Sequence, residues 1–298
     1  METVIKIKSL SELALNKIAD YIQLIKPRLS LLIVFSSAMA YLWATNRNVD
    51  TATIWLLSIG GFLITGSSNI FNQIIEKDSD KLMKRTLKRP LPDGRMEVKE
   101  VFILGLILGI FGLVILYKIN LLSALLGSLA MLLYIFLYTL LKKITWLAVL
   151  PGAVAGSLPV IIGCVAATGE VTRGAFLLFS IQFIWQFPHT WSIAWLLNDE
   201  YDKAGIKIFP MKKKNKASAI LILFSAFLII PTGLLLYMYE SAGAQVSWLL
   251  ALAGIGIFLF AIRFYQQRTD KSAVGLMLSC FAYLPLVLIL LVAEKFFL

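Results

Sequence analysis

The chain has 298 residues, 59% of them hydrophobic and only 15% charged. A water-soluble core of this size cannot hide so much apolar surface, which excludes a soluble globular domain and points to an all-α integral membrane protein. The formal net charge of +11 is explained by membrane topology and by attraction to anionic headgroups, so no nucleic acid is needed as a partner.

Residues 1–27 precede any long apolar run. With Lys6, Lys8, Lys17 and Lys26 they read as an interfacial lead-in, and the spans that follow argue against a cleaved signal peptide. Apolar stretches long enough to cross a bilayer then recur at roughly residues 28–46, 52–75, 100–117, 121–141, 146–168, 174–197, 218–238, 246–263 and 272–293. This predicts about nine transmembrane helices in a single domain, 1–298. With a cytoplasmic N-terminus, the far-side connections hold only Arg47, Lys118 and Arg173, with Lys295 near a far-side C-terminus. The remaining Lys and Arg residues fall on the cytoplasmic side, as the positive-inside rule requires. Cys164 and Cys280 lie inside distant spans and read as small buried apolar residues, with neither a disulfide framework nor a metal-ligand spacing.

The longest polar connections, 76–99 and 198–217, flank the second and sixth spans, and both are cytoplasmic by the charge count. In the first, Asn72, Glu76 and Asp80 recur every four residues and share one face of a helix, while Asp78 points off it. The basic residues Lys81, Lys84, Arg85, Lys88 and Arg89 follow at once. Oxygen ligands backed by bases at a membrane mouth suit a hard cation carrying a polyanion such as a diphosphate. Asn72 and Asp80 lie about 12 Å apart along a regular helix, so one ion cannot reach the whole row. Either the helix unwinds near residue 77 or more than one divalent ion is used. Mg²⁺, which keeps several waters and takes one or two carboxylates, suits so sparse a ligand set.

The second connection repeats the pattern. Asp199, Glu200 and Asp202 are followed by Lys203, Lys207 and Lys212 to Lys214, read either as a second acid-and-base cradle or as a solvated loop of alternating charge. Just before it, Pro188 is expected to kink or open the span near Phe187 and free a carbonyl. His189, the chain's only histidine, either caps that carbonyl as a neutral imidazole or meets substrate. No second histidine exists to make a zinc site.

The string NQIIEKDSDKLMKRTLKRPL resembles the signature of the UbiA-type intramembrane prenyltransferase superfamily, usually Asn-x-x-x-Asp-x-x-x-Asp. Met83, Arg85, Thr86, Arg89, Pro90 and Leu91, together with QFPHTWSIAW, resemble its haem-directed branch. Lys26-Pro27-Arg28 and Tyr138-Thr139 with Lys142 also match, so the resemblance covers most of the first two thirds of the chain. Residues 218–298 add little beyond hydrophobic length. Glu76 departs from the usual Asp, although Glu after an Asn72-Gln73 pair resembles a variant of the haem-directed branch. The paired aspartates four apart of the second loop are missing, since Leu196 lies four before Glu200.

The resemblance implies helices around a central cavity with the active site on the cytoplasmic side of a cell inner membrane. It implies Mg²⁺ as cofactor and transfer of a farnesyl group from farnesyl diphosphate to a vinyl group of haem b, giving haem O and diphosphate. A haem A synthase would act downstream. Asn72, Glu76, Asp80, Asp199 and Glu200 would be the metal ligands, with Asn72, Glu76, Asp80 and Glu200 catalytic. Lys81, Arg85, Arg89 and Lys142 would contact diphosphate, and His189, Tyr138, Lys26 and Arg28 would meet haem or line its pocket. Phe71, Tyr138, Trp185 or Phe187 could shield an allylic cation with their faces. The alternative acceptor is a quinone-precursor aromatic acid. A transporter is the weaker alternative, because the acids cluster at one membrane face instead of the midplane.

Overall fold

The computed structural model describes residues 10–45, 47–212 and 214–297. Lys6, Lys8 and Lys213 lie outside the described residues. The described chain is helical throughout, with α1 Leu10–Ile25, α2 Pro27–Ala44, α3 Thr51–Asp80 and α4 Val98–Ile119. Then come α5 Leu121–Leu141, α6 Trp146–Thr168, α7 Arg173–Leu196 and α8 Asn198–Lys203. The last three are α9 Lys216–Met238, α10 Ala244–Gln267 and α11 Asp270–Phe297.

Eight of these (α2 to α6 and α9 to α11) are long and apolar enough to cross a membrane. The ninth crossing predicted from sequence corresponds to α7, whose 24 residues include Gln182, Gln186 and His189 and dilute its hydropathy. The chain is a multi-pass membrane protein. Apolar side chains cover its outside, as on α4, where Phe102, Leu106 and Ile110 are exposed in one row while Val101 and Leu116 are buried. That inversion suits a lipid solvent, in which an exposed apolar stripe costs nothing.

Helices adjacent in sequence pack side by side from α2 to α7, and α7 continues through α9, α10 and α11 back to α2, closing a ring. Without a hydrophobic force between apolar helices in lipid, close backbone approach carries the packing. At Gly112 of α4 an added Cβ would sit 3.0 Å from the backbone nitrogen of Ile64 on α3. Across the ring α2 meets α6 directly. A Cβ at Gly163 would fall 2.0 Å from the backbone oxygen of Ser37, and the Cys164 thiol donates to the Ala40 carbonyl at 3.6 Å. This crossing closes the ring toward the end where Arg47 Nε donates to the Lys295 carbonyl and Arg173 lies over the Tyr239 ring. Cys164 and Cys280 are both buried and unbridged.

The bounds of both polar connections shift from the sequence expectation. α3 runs unbroken to Asp80, so helix replaces loop at 76–80 and no unwinding occurs near residue 77. The segment 198–217 opens with the short helix α8 instead of loop. At the other edge of the mouth, α1 turns Leu15, Ile18 and Ile22 outward. Its opposite side presents Lys17 and Tyr21 to Glu100 and Asp20 to Arg95. An outward apolar row with a polar, pinned inner side is what an interfacial helix needs.

Gly163→Ala is expected to lose about 1–3 kcal/mol of stability, the cost of overpacking a filled contact. Gly256→Ala, whose Cβ meets nothing within 4 Å, is expected to leave stability unchanged or slightly raised. Thermal unfolding of the two variants in detergent, followed by far-UV circular dichroism, checks the difference.

Candidate active site at one end of the ring

Asn72, Glu76 and Asp80 project from the last turns of α3 and are 2%, 4% and 0% exposed. Carboxylates buried to that degree need cations, and the chain supplies them from two directions. After α3, turns at 81–96 double back, held by Thr86 Oγ1 donating to the Asp80 carbonyl at 2.8 Å and by burial of Met83, Leu91 and Met96. This returns Arg89 to Asp80, where Nη1 donates to Oδ2 at 2.6 Å. From the end of α5, Lys142 pairs with Glu76. Lys26, the residue before α2, is half-buried beside both pairs. Burial, then the Arg89 and Lys142 charges, push its ammonium down to about 7, against the pull of Glu76 and Asp80.

The second connection comes in from the side of α7. The Lys207 backbone N–H donates to the Lys142 carbonyl at 2.6 Å, which ties the loop after α8 to the end of α5. Glu200 is half-buried and its Oε2 has no partner. Asp199 is exposed, as is Asp202, whose carboxylate accepts from Asn198 Nδ2 at 3.2 Å. Tyr201 reaches over the mouth, with Arg85, Lys142, Glu76 and Arg89 around it. Burial pushes its phenol above the usual range, although Arg85 and Lys142 oppose this.

Of the residues singled out from sequence, the fold therefore gathers Glu76, Asp80, Arg89, Lys142 and Lys26, with Asn72 below them and Arg85 at the rim. Lys81 pairs instead with the exposed Asp78 at 3.7 Å, and Arg28 is exposed on the first turn of α2. Sequence reasoning missed Tyr201 and gave Thr139 no role beyond its place in the Tyr138-Thr139 match. Tyr201 adjoins Glu200, and Thr139 adjoins Tyr138, but neither carries a charge that marks it before the helices are assembled.

Beneath the mouth lies a cavity of about 350 Å³. Leu32, Ile64, Ala130 and Ile162 make it greasy, and Tyr138, Trp185 and His189 stand along one wall. α7 stays helical through Pro188 instead of opening, and of the two alternatives for His189 the imidazole does not take the carbonyl cap. His189 stacks on Trp185 (4.7 Å between centroids) and meets the edge of Phe281 (4.6 Å), and its Nδ1 has no partner. Trp185 is fixed by donation from Nε1 to the Cys280 carbonyl at 2.8 Å. Phe71 packs against Phe102, and Phe187 against Phe183 and Trp191; neither lines the cavity.

Among the described residues no three His, Cys, Asp or Glu side chains cluster closely enough to hold a metal ion by themselves. The donor set nevertheless fits Mg²⁺, which needs one or two carboxylates with water and phosphate oxygens completing the shell. Asp80 Oδ1 and Glu200 Oε2 are buried and unpartnered, and a carboxylate oxygen left that way inside a protein calls for a cation. The arrangement can hold a divalent ion and a polyanion at the mouth, with an apolar tail in the chamber below.

The model of the UbiA prenyltransferase family matches residues 33–289. The chain is 42% identical over 279 residues to the protohaem IX farnesyltransferase of Cytophaga hutchinsonii, covering 93% of this chain and 98% of that one. In fold it resembles a digeranylgeranylglyceryl phosphate synthase, with a TM-score of 0.80 at 19% identity over 95% of this chain and all of that one. It also resembles a UbiA homologue from Archaeoglobus fulgidus bound to GPP and Mg²⁺. That likeness has a TM-score of 0.72 at 14% identity and covers 91% of this chain and 99% of the other.

Arg89→Met leaves the Asp80 carboxylate buried without its cation and is expected to cost about 3–5 kcal/mol of stability. Adding Asp80→Asn to Arg89→Met is expected to restore most of the loss, as read from thermal melts of the single and double variants.

Proposed function

Because the chain belongs to the UbiA prenyltransferase family, we propose that it transfers the farnesyl group of farnesyl diphosphate to a vinyl group of haem b, giving haem O and diphosphate. The observation that carries the donor half is the mouth itself, where buried acids with unpartnered oxygens stand among Lys26, Arg89 and Lys142 over an apolar chamber. The acceptor half is supported by the farnesyltransferase relative at 42% identity over nearly its whole length.

In this reading Asn72, Glu76 and Asp80 would hold Mg²⁺ from one side and Glu200, with Asp199, from the other, with more than one ion needed because the row spans about 12 Å of unbroken helix. Held there, Mg²⁺ would supply the positive charge that offsets negative charge building on the leaving diphosphate. Lys142, Arg89 and Arg85 bind the diphosphate oxygens as fixed donors, the kind of preorganised electrostatics that dominates many rate enhancements. Lys81 would join them only by leaving Asp78. As the bond between the farnesyl carbon and oxygen breaks, the faces of Tyr138 and Trp185 present negative quadrupole to the allylic cation. The apolar walls keep bulk water from it. The vinyl group of haem then supplies the electron pair for the new carbon–carbon bond, and one water, losing a proton, completes the hydroxyethyl carbon. His189 and Tyr138 contact the macrocycle from the wall, while Lys26 and Arg28 stand where haem's anionic groups would reach the surface.

The positive-inside count supports a cytoplasmic mouth in the cell inner membrane, with the N-terminus on that side and the C-terminus across it. Residues 1–298 act as one domain, with the lead-in lying in the interface. Haem O leaves toward an enzyme that oxidises it further, a haem A synthase.

Glu76→Ala and Asp80→Ala are each expected to lower haem O formation in membranes by about 10²-fold to 10³-fold. Chelation of divalent ions should stop the unaltered enzyme, and Mg²⁺ should restore it. Purified protein offered farnesyl diphosphate should prenylate haem b and leave aromatic acids unchanged. Retained Mg²⁺-dependent activity in both variants would overturn the site assignment, and prenylation of an aromatic acid in place of haem would overturn the acceptor.

A further inference from the structure

α5 is not a regular α-helix where it nears the mouth. Residues Leu133–Tyr138 form a π-helical turn, and one residue inserted in this way rotates everything after it by about 100°. The rotation carries Thr139 and Lys142, three apart, onto the face that meets α3. There Thr139 touches Asn72 and Lys142 touches Glu76.

Thr139 is 0% exposed and Asn72 2%, so solvent cannot rearrange their contact. The Tyr134 carbonyl accepts the Thr139 backbone N–H across the π turn and also the Thr139 hydroxyl, at 2.8 Å. A threonine hydroxyl has a single proton. With that proton committed to Tyr134, Oγ1 can act toward Asn72 only as an acceptor. It accepts from Asn72 Nδ2 at 3.1 Å, which fixes the amide with its nitrogen toward α5 and its oxygen turned away. Reversing the amide would pull the Thr139 proton off the Tyr134 carbonyl to meet Asn72 Oδ1, giving up the 2.8 Å bond inside a buried site.

We propose that Thr139 is a positioning residue which, through the π turn, holds the Asn72 amide so that Oδ1 and not Nδ2 is offered to the divalent ion and diphosphate. A site for a hard cation tolerates an oxygen there and is opposed by an N–H₂ group. The proposal rests on the diphosphate chemistry above but concerns a residue outside the ligand row. It also assigns the π turn a purpose, since a regular helix would present a different side chain to Asn72.

The test uses full-length protein in detergent and measures Mg²⁺-dependent binding of farnesyl thiodiphosphate, a slowly reacting donor analogue, by calorimetry. Thr139→Val keeps the shape but removes the acceptor. It is expected to weaken binding by about tenfold to a hundredfold, the usual cost of losing an outer partner of a metal ligand, while Thr139→Ser keeps the affinity of the unaltered protein. Asp at position 72 offers oxygen in either orientation, so in an Asn72→Asp background Thr139→Val should no longer weaken binding. A residue that only packs would cost the same in both backgrounds. Should Thr139→Val not fold, Thr139→Ala carries the same comparison. Unaltered affinity in Thr139→Val, equal losses in the two backgrounds, or a Thr139→Ser variant as weak as Thr139→Val would each overturn the role of Thr139 alone. Failure of the unaltered protein to bind the analogue at any Mg²⁺ concentration would overturn the proposed function, and this inference with it.

Discussion

Two carboxylates buried at the end of a membrane helix set the terms for everything around them. Charge in that position persists only with a cation at hand, and Asp80 and Glu76 obtain theirs from different parts of the chain, Arg89 and Lys142. The first pairing dictates the doubling back of the segment after α3, with Thr86 locked on the Asp80 carbonyl. Arg95, which donates to the Lys88 carbonyl and pairs with Asp20, extends the same constraint to α1. The second pairing fixes the end of α5, and through the Lys142 carbonyl it also anchors the loop that follows α8.

Below that charged rim the molecule changes character. The ring of helices encloses an apolar space, and the crossing of α2 and α6 at Gly163 closes it on the far side. Charged groups gather at the entrance and apolar ones below, and Trp185 and His189 of α7 line the wall of the apolar space. The His189 ring belongs to this wall, held by stacking on Trp185 with its Nδ1 left free.

The membrane class, the run of spans and the acidic row were readable from residue order because each depends on local periodicity. Hydropathy alone marks a span, and spacing by four marks a helix face. What escaped was set by assembly. No sequence rule indicates that Arg89 returns to Asp80 while Lys81 stays with Asp78, because both are bases within ten residues of the row. Pro188 kinks or opens α7 on the sequence expectation; the helix does not open but continues through it, the kind of interruption that packing between membrane helices tolerates. Thr139 and Tyr201 carry no charge, so their importance emerges only when α5 and the loop after α8 are laid against α3.

The ion pairs at the rim also bear on turnover. If Arg89 and Lys142 take the diphosphate as proposed, they must loosen their hold on Asp80 and Glu76, and binding is weakened by what those pairs are worth. On departure of the diphosphate the same carboxylates would recapture the bases. In the proposed reaction the two carboxylates would thus compete with the product diphosphate for the same bases, which favours its escape.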